Sequence, residues 1–144
     1  MARVGDILRV KGDAVLSVAP DATVLEAARC MNDGGTGSVV VIQDGQLLGI
    51  FTERDIMRRV VAAQLDPSTT PVSSVMTRDL VTCEPGTEMD ACAQTMSERH
   101  IRHLPVLAGG RLAGLVTSGD VLAYQLSDQA STIRQLHGFI YDGR

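Results

Sequence analysis

Two copies of one short motif contain the residues best suited to chemistry. The motif is glycine, two apolar residues, threonine, two variable residues and aspartate, and it occupies residues 49–55 (GIFTERD) and 114–120 (GLVTSGD). A hydroxyl and free N–H groups at a helix start suit a phosphate, and a nearby carboxylate can accept both hydroxyls of a ribose. The same residues can also cap a helix. One copy of the motif alone would favour the interpretation as a helix cap. The aspartate in both copies favours ligand binding, and one residue can perform both roles.

An internal repeat places these motifs in equivalent positions. Residues 20–56 align with residues 85–121 without a gap, and identical pairs include Met31 with Met96 and Gly49 with Gly114. In each copy a proline precedes apolar residues at helical spacing, and two short apolar runs then flank a glycine turn. The motif opens a second helix, and short strands at 15–18 and 80–83 lead the copies. Each copy therefore predicts a β-α-β-β-α unit.

The predicted fold class is α/β, or more narrowly α+β. Two β-α-β-β-α repeats are expected to pack sheet to sheet about a pseudo-twofold axis, because each is too small to bury a core alone. The expected domains are the first repeat at 4–65, a turn-forming linker at 66–71, the second repeat at 72–126 and a helical tail at 127–144. The tail spaces Ile133, Leu136 and Ile140 as an apolar stripe, which could pack on its own module or contact a second copy or a partner.

Composition excludes several classes of function. The 144 residues carry a net charge of −4, with two Tyr, two Phe and no Trp, which argues against a nucleic-acid binder. No apolar run approaches the roughly 20 residues that span a bilayer. The start of the chain has no signal-peptide pattern, so we expect a soluble, cytoplasmic protein. The three cysteines, Cys30, Cys83 and Cys92, lack CxxC spacing and are expected to be buried thiols.

Catalytic machinery is not evident in the sequence. The chain shows no local nucleophile motif and no paired-carboxylate pattern. His100 and His103 straddle an expected helix end and strand start, so their rings need not converge on a metal. We therefore expect no enzyme activity, no catalytic cofactor and no metal site.

Residues 4–126 resemble a tandem pair of CBS domains, the family named after cystathionine β-synthase. The resemblance rests on the leaders 4–8 (VGDIL) and 72–76 (VSSVM), the proline-led helix starts, residues 103–106 (HLPV) and both glycine-to-aspartate motifs. It implies a disc-like pair, often dimerised further, with clefts that bind adenosyl ligands such as AMP, ADP, ATP, NAD or S-adenosylmethionine. A homodimer is expected on the same ground.

The resemblance also implies two clefts, in which Asp55 and Asp120 hold ribose hydroxyls. The other residues of the first cleft are Thr36, Gly37, Ser38, Val39, Thr52, Arg54, Met76, Thr77 and Leu80. Those of the second cleft are Gly12, Asp13, Val15, Ile101, Arg102, His103, Leu104 and Thr117.

The two clefts differ in charge. Arg102 and His103 stand where the first repeat has Gly37 and Ser38, so we expect tighter phosphate binding in the second cleft. In the first cleft Glu53 could repel a phosphate. The arginines of the following helix, Arg54, Arg58 and Arg59, could supply charge there or could form a solvated face.

These observations predict a non-catalytic regulatory module that binds an adenine nucleotide and signals in trans to an unidentified effector protein. AMP is the first candidate ligand, followed by ATP and NAD. The alternative is a constitutive structural or dimerisation module without a ligand, in which both motifs only cap helices.

Overall fold

The computed structural model describes residues 2–128 of the chain. The first half contains helix α1 (Val4–Lys11), strand β1 (Ser17–Val18), helix α2 (Val24–Gly34), strands β2 (Ser38–Gln43) and β3 (Gln46–Thr52), and helix α3 (Glu53–Asp55), which continues into a π-helical segment (Ile56–Val61). The second half contains a 3₁₀ turn (Val72–Ser74), helix α4 (Met89–Arg99), strands β4 (His103–Ala108) and β5 (Arg111–Thr117), and helix α5 over residues 118–128. The mixed α/β fold of two related halves is confirmed.

Both hairpins turn through two residues with left-handed backbone. Asp44 and Gly45 have φ values of 52° and 77°, and Gly109 and Gly110 have values of 58° and 79°. Turns with positive φ at both central residues match the twist of the strands that they join. The resulting registers pair Ser38 with Thr52, and His103 with Thr117. Each motif threonine therefore lies opposite the first residue of the preceding strand.

The two leading strands differ from the prediction. β1 is reduced to Ser17–Val18 and pairs in parallel with β2, where Val40 N–H donates to Leu16 O at 3.0 Å. The expected strand at 80–83 is reduced to a single bridge between Cys83 and Val106. The cause is Pro105, which occupies the position of Val40 in the second repeat and has no N–H to donate.

The leaders of the two repeats are exchanged in space. The core of the first repeat takes in residues of the second leader, namely Val72, Val75 and Met76. The core of the second repeat takes in residues of the first leader, namely Val4, Ile7 and Leu8. Each repeat thus needs the other to complete its core, as expected for units of this size.

Glycines in β3 and β5 allow this exchange. A Cβ on Gly49 would lie 2.7 Å from Met76 Sδ and 2.8 Å from Thr77 O. A Cβ on Gly114 would lie 2.8 Å from Leu8 Cδ2. Both glycines therefore allow a close approach of the exchanged leader, to a backbone carbonyl at Gly49 and to a side chain at Gly114.

The stripe of Ile133, Leu136 and Ile140 in the expected tail lies outside residues 2–128. Within residues 2–128, no helix has the length and apolarity to cross a bilayer.

Candidate functional site

A cavity of about 380 Å³ opens beside the first motif. This volume is within the range of small-molecule sites. Its lining combines both repeats: Gly37, Ile50, Thr52, Glu53, Arg54, Asp55, Met57 and Thr77, together with Ile101, Arg102 and His103. A ligand in this cavity would therefore touch the two halves of the molecule at once.

Asp55 is the anchor of the cavity and is 5% exposed. Its Oδ2 accepts a hydrogen bond from Thr52 N–H at 3.1 Å, and Thr52 Oγ1 accepts one from Asp55 N–H at 3.3 Å. This reciprocal pair is a capping box. The Thr77 hydroxyl donates to Asp55 Oδ1 at 3.0 Å, and Arg59 Nε lies 3.7 Å from the same oxygen. The predicted cap is therefore present, and it holds the carboxylate rigidly at the wall of the cavity.

The backbone at the start of α3 offers less to a phosphate than the sequence suggests. Glu53 N–H donates to Gly37 O at 3.1 Å, and Asp55 N–H is used in the cap. The Arg54 guanidinium donates to His100 O, which ties α3 to the end of α4 in the other repeat. Side chains from the second repeat must therefore supply most of the charge for a phosphate.

The residues at the start of β4 supply this charge unequally. Arg102 is exposed and permanently charged. Burial lowers the pKa of His103, and although Glu53 opposes this shift, the nearby Arg102 adds to it. Burial therefore favours the neutral form of His103 in the folded protein. Arg102 is the permanent cation of the two, and a phosphate contact at His103 stays a prediction.

Ile101, Arg102 and His103 were expected in the second cleft, whereas the structure places them in the lining of the Asp55 cavity. Their link with the second motif also exists, since Ser118 N–H donates to Arg102 O at 2.9 Å and His103 pairs with Thr117. The segment lies between the two motifs because β3 and β5 approach each other at the centre of the molecule. The resemblance implied a place for this segment beside the second motif only.

The second motif forms the same cap without contributing to this cavity. Thr117 N–H donates to Asp120 Oδ2 at 2.9 Å, and Asp120 N–H donates to Thr117 Oγ1 at 3.1 Å. The ammonium of Lys11 lies 2.6 Å from Asp120 Oδ2. The expectation of tighter binding in the second cleft is not supported, since its cations line the other cavity and its carboxylate already has a charged partner.

The remaining predicted residues lie around the cavity rather than in its lining. Thr36 lines an adjoining hollow that also contains Gly37 and Glu53. The buried members are Ser38, Val39, Met76 and Leu104; Val15 and Leu80 are half-buried, and Gly12 and Asp13 are exposed. Among the described residues, the Ser38 hydroxyl finds no hydrogen-bond partner.

Two residues of the lining were not predicted. Ile50 is an apolar position within the first motif, and Met57 follows Asp55 by two residues. Met57 is 57% exposed, which is unusual for a large apolar side chain and is consistent with a surface that a ligand or partner covers. The apolar half of the motif was the signal that could have identified Ile50.

Two related halves with exchanged leaders, and a cavity that both halves line, define a tandem domain pair. The family model for the CBS domain matches residues 4–62 and 72–127, so the chain belongs to the CBS domain family. CBS domain pairs are regulatory modules.

Relatives and solved structures agree with this assignment. The chain is 36% identical to CBS domain-containing protein YhcV of Bacillus subtilis over 81% of this chain and 83% of the relative. A putative signal-transduction protein with CBS domains from Burkholderia ambifaria has a TM-score of 0.86 at 35% identity, over 89% of this chain and 96% of that one. The CBS domain pair of protein MJ0100, solved with 5′-methylthioadenosine and S-adenosyl-L-methionine, has a TM-score of 0.77 at 25% identity, over 89% and 98%.

Proposed function

We propose that this chain is a non-catalytic sensor that binds an adenine nucleotide in the Asp55 cavity and signals to an effector protein in trans. The observation that carries the proposal is the cavity itself, in which a buried carboxylate from one repeat faces an exposed arginine from the other. The adenosyl compounds bound by the MJ0100 pair support the ligand class. AMP is the first candidate, followed by ATP and NAD, and a cytoplasmic location stays a prediction.

The lining offers a partner for each part of a nucleotide. The Asp55 carboxylate suits the ribose hydroxyls, because a carboxylate accepts about four hydrogen bonds and its present partners leave acceptor positions unused. Ile50, Met57 and Ile101 provide apolar surface for adenine. Arg102 provides the charge for a phosphate. One monophosphate requires no more cationic groups than this cavity offers.

Signalling follows from the position of the cavity between the repeats. A nucleotide that contacts Asp55 and Arg102 would favour the arrangement of the halves that brings both within reach. A ligand shifts such an equilibrium only by its difference in affinity for the two arrangements. The effector would then recognise the favoured arrangement.

We also propose that the chain forms a homodimer through the helices that follow the motifs. Met57 and Val61 are 57% and 66% exposed, and Leu122 and Leu126 are each 56% exposed. These two pairs occupy the same positions in the two repeats, so they form a symmetric apolar surface of the kind that associating proteins bury. Light scattering should give the mass of a dimer for the wild-type chain and of a monomer for Val61→Glu combined with Leu126→Glu. The matched control, Arg58→Glu, should stay a dimer.

Thermal denaturation with and without nucleotide tests the sensor function. Binding to the folded state alone stabilises it by about 2.7 kcal/mol when the free ligand is 100-fold above Kd. This corresponds to a Tm rise of roughly 5–10 °C for a chain of this size. AMP, ATP and NAD should be compared on the wild-type chain, Asp55→Asn and Asp120→Asn. Asparagine keeps an oxygen that can accept the capping N–H bond, so both variants should fold.

The expected result is a rise in Tm with AMP for the wild-type chain and Asp120→Asn, and a much smaller rise for Asp55→Asn. Equal rises in all three proteins would place the nucleotide elsewhere. No rise with any nucleotide at millimolar concentration would favour the alternative, a constitutive structural or dimerisation module in which Asp55 only caps a helix.

A further inference from the structure

The end of helix α1 lies against the second motif. The Lys11 ammonium donates to Asp120 Oδ2 at 2.6 Å and to Leu115 O at 2.9 Å. The contact is partly open to solvent, since the side chains of Lys11 and Asp120 are 32% and 19% exposed. The contact joins residues far apart in sequence, so the fold and not the local chain brings it about.

At the first motif, Thr77 takes the position that Lys11 has at the second motif. Thr77 N–H donates to Ile50 O at 2.8 Å, and the Thr77 hydroxyl donates to Asp55 Oδ1 at 3.0 Å. Ile50 and Asp55 are the repeat equivalents of Leu115 and Asp120. The single ammonium of Lys11 therefore makes both of the bonds that a backbone N–H and a neutral hydroxyl make in the first motif.

The difference arises from the lengths of the two leaders. Leu8 and Met76 are equivalent, because they pack against the equivalent glycines Gly114 and Gly49. After Met76 the chain has left its helical turn, and Thr77 pairs directly with β3. After Leu8 helix α1 continues to Lys11 and ends at Gly12, whose N–H donates to Leu8 O. The longer helix replaces the pairing strand residue with a lysine side chain.

The two carboxylates consequently differ in what a ribose must displace. At Asp55 a hydroxyl group would exchange with another hydroxyl, that of Thr77. The charged neighbour of this carboxylate, Arg59, has its Nε 3.7 Å from Oδ1 and makes no hydrogen bond to it. At Asp120 the ribose hydroxyl would have to replace a charge-assisted bond, which is roughly twice as strong as a neutral one. We propose that Lys11 closes the second cleft to nucleotides, so that each chain binds one nucleotide, at Asp55; this deepens the proposed function and rests on it.

Isothermal titration with AMP tests the proposal through its stoichiometry. The wild-type chain should bind one AMP, and Lys11→Ala should bind two. The double variant Lys11→Ala with Asp55→Asn should bind one, now at Asp120. Arg9→Ala is the matched control, because Arg9 lies on the same helix, is 80% exposed and pairs with Asp6 on that helix; it should bind one AMP. Lys11→Met, which keeps the apolar stem, should behave as Lys11→Ala does if the alanine variant folds poorly.

The outcomes separate this proposal from the function on which it rests. Two AMP per wild-type chain, or one AMP in both Lys11 variants, would overturn it. Loss of an AMP site on removing Lys11 would also overturn it, since Lys11 would then be a ligand contact. If the wild-type chain binds no AMP while Lys11→Ala binds one, the Asp55 function fails and the role of Lys11 stands. If no variant binds AMP, both fail.

Discussion

Replacing Gly49 by alanine should destabilise the protein, because the new methyl group meets a backbone carbonyl that cannot move. Its Cβ would lie 2.7 Å from Met76 Sδ and 2.8 Å from Thr77 O, whereas ordinary contacts begin near 3.4 Å. Thr77 O is fixed by a 3.0 Å hydrogen bond from Ile50 N–H. Overpacking costs about 1–3 kcal/mol, and weakening this bond adds about 1 kcal/mol. The smaller entropy of the unfolded alanine chain offsets about 0.4–1 kcal/mol of this. We therefore expect Gly49→Ala to lose about 1–3.5 kcal/mol of unfolding free energy.

Gly114→Ala is the matched control at the equivalent position of the second repeat. There the new methyl group would meet the two Cδ atoms of Leu8, at 2.8 and 2.9 Å. These atoms end a flexible side chain that can change rotamer at a cost of about 1 kcal/mol. The smaller entropy of the unfolded alanine chain offsets about 0.4–1 kcal/mol. The expected net loss is therefore below about 1 kcal/mol.

Urea denaturation of the two variants measures the difference in unfolding free energy directly. In thermal denaturation Gly49→Ala should lower Tm by roughly 2–14 °C and Gly114→Ala by less than about 4 °C. Gly49→Ala should also weaken AMP binding, because Thr77 lies in the cavity lining. Equal losses in the two variants, or a larger loss at Gly114, would refute the distinction between a fixed carbonyl and a flexible side chain.

Three further predictions follow from other contacts. Burial lowers the pKa of His103. The stability that the neutral His103 contributes is therefore complete above about pH 6.5 and is lost as the pH falls below that value. In urea titrations at pH 7.5 and pH 5, His103→Gln should lose less stability on acidification than the wild-type chain. A hydrogen bond to Cys92 and burial raise the pKa of the Cys83 thiol. A thiol reagent should therefore modify the half-buried Cys30 first in the native protein, and the other two cysteines only on unfolding. Rapid modification of all three cysteines in the native protein would contradict this. Thr23→Ala removes the side-chain cap of α2 and should cost about 1 kcal/mol in urea denaturation, and a loss near zero would show that the cap is redundant.

The sequence predicts most of the fold because its signals are local. The repeated glycine turns set the hairpin registers, and the threonine and aspartate of each motif form the predicted caps. The missing strand at 80–83 was also readable in principle, since Pro105 cannot donate a hydrogen bond to it. The sequence alone does not show that Pro105 lies opposite this strand, because the pairing of residues 80–83 with β4 is set by the tertiary structure.

The candidate site was predicted less completely because its members come from both repeats. The resemblance to CBS domain pairs places Thr77 in the cleft of Asp55, and in the structure its hydroxyl donates to that carboxylate. The resemblance cannot show that Arg102 lines the cavity of the other motif, because that depends on how the two sheets approach each other. It also cannot give the charge of His103, which depends on burial.

The comparison of Thr77 with Lys11 shows why identical motifs need not have identical functions. Both aspartates keep the cap, which is a local interaction that any helix start of this sequence can form. What differs is the group that reaches each carboxylate from the leader of the other repeat, a hydroxyl at Asp55 and an ammonium at Asp120. A change in the length of α1 is enough to alter this group without any change in the motif. The capacity to bind a ligand is therefore set by the long-range partner of each motif, and Lys11→Ala should extend it to the second repeat while the site at Asp55 is kept.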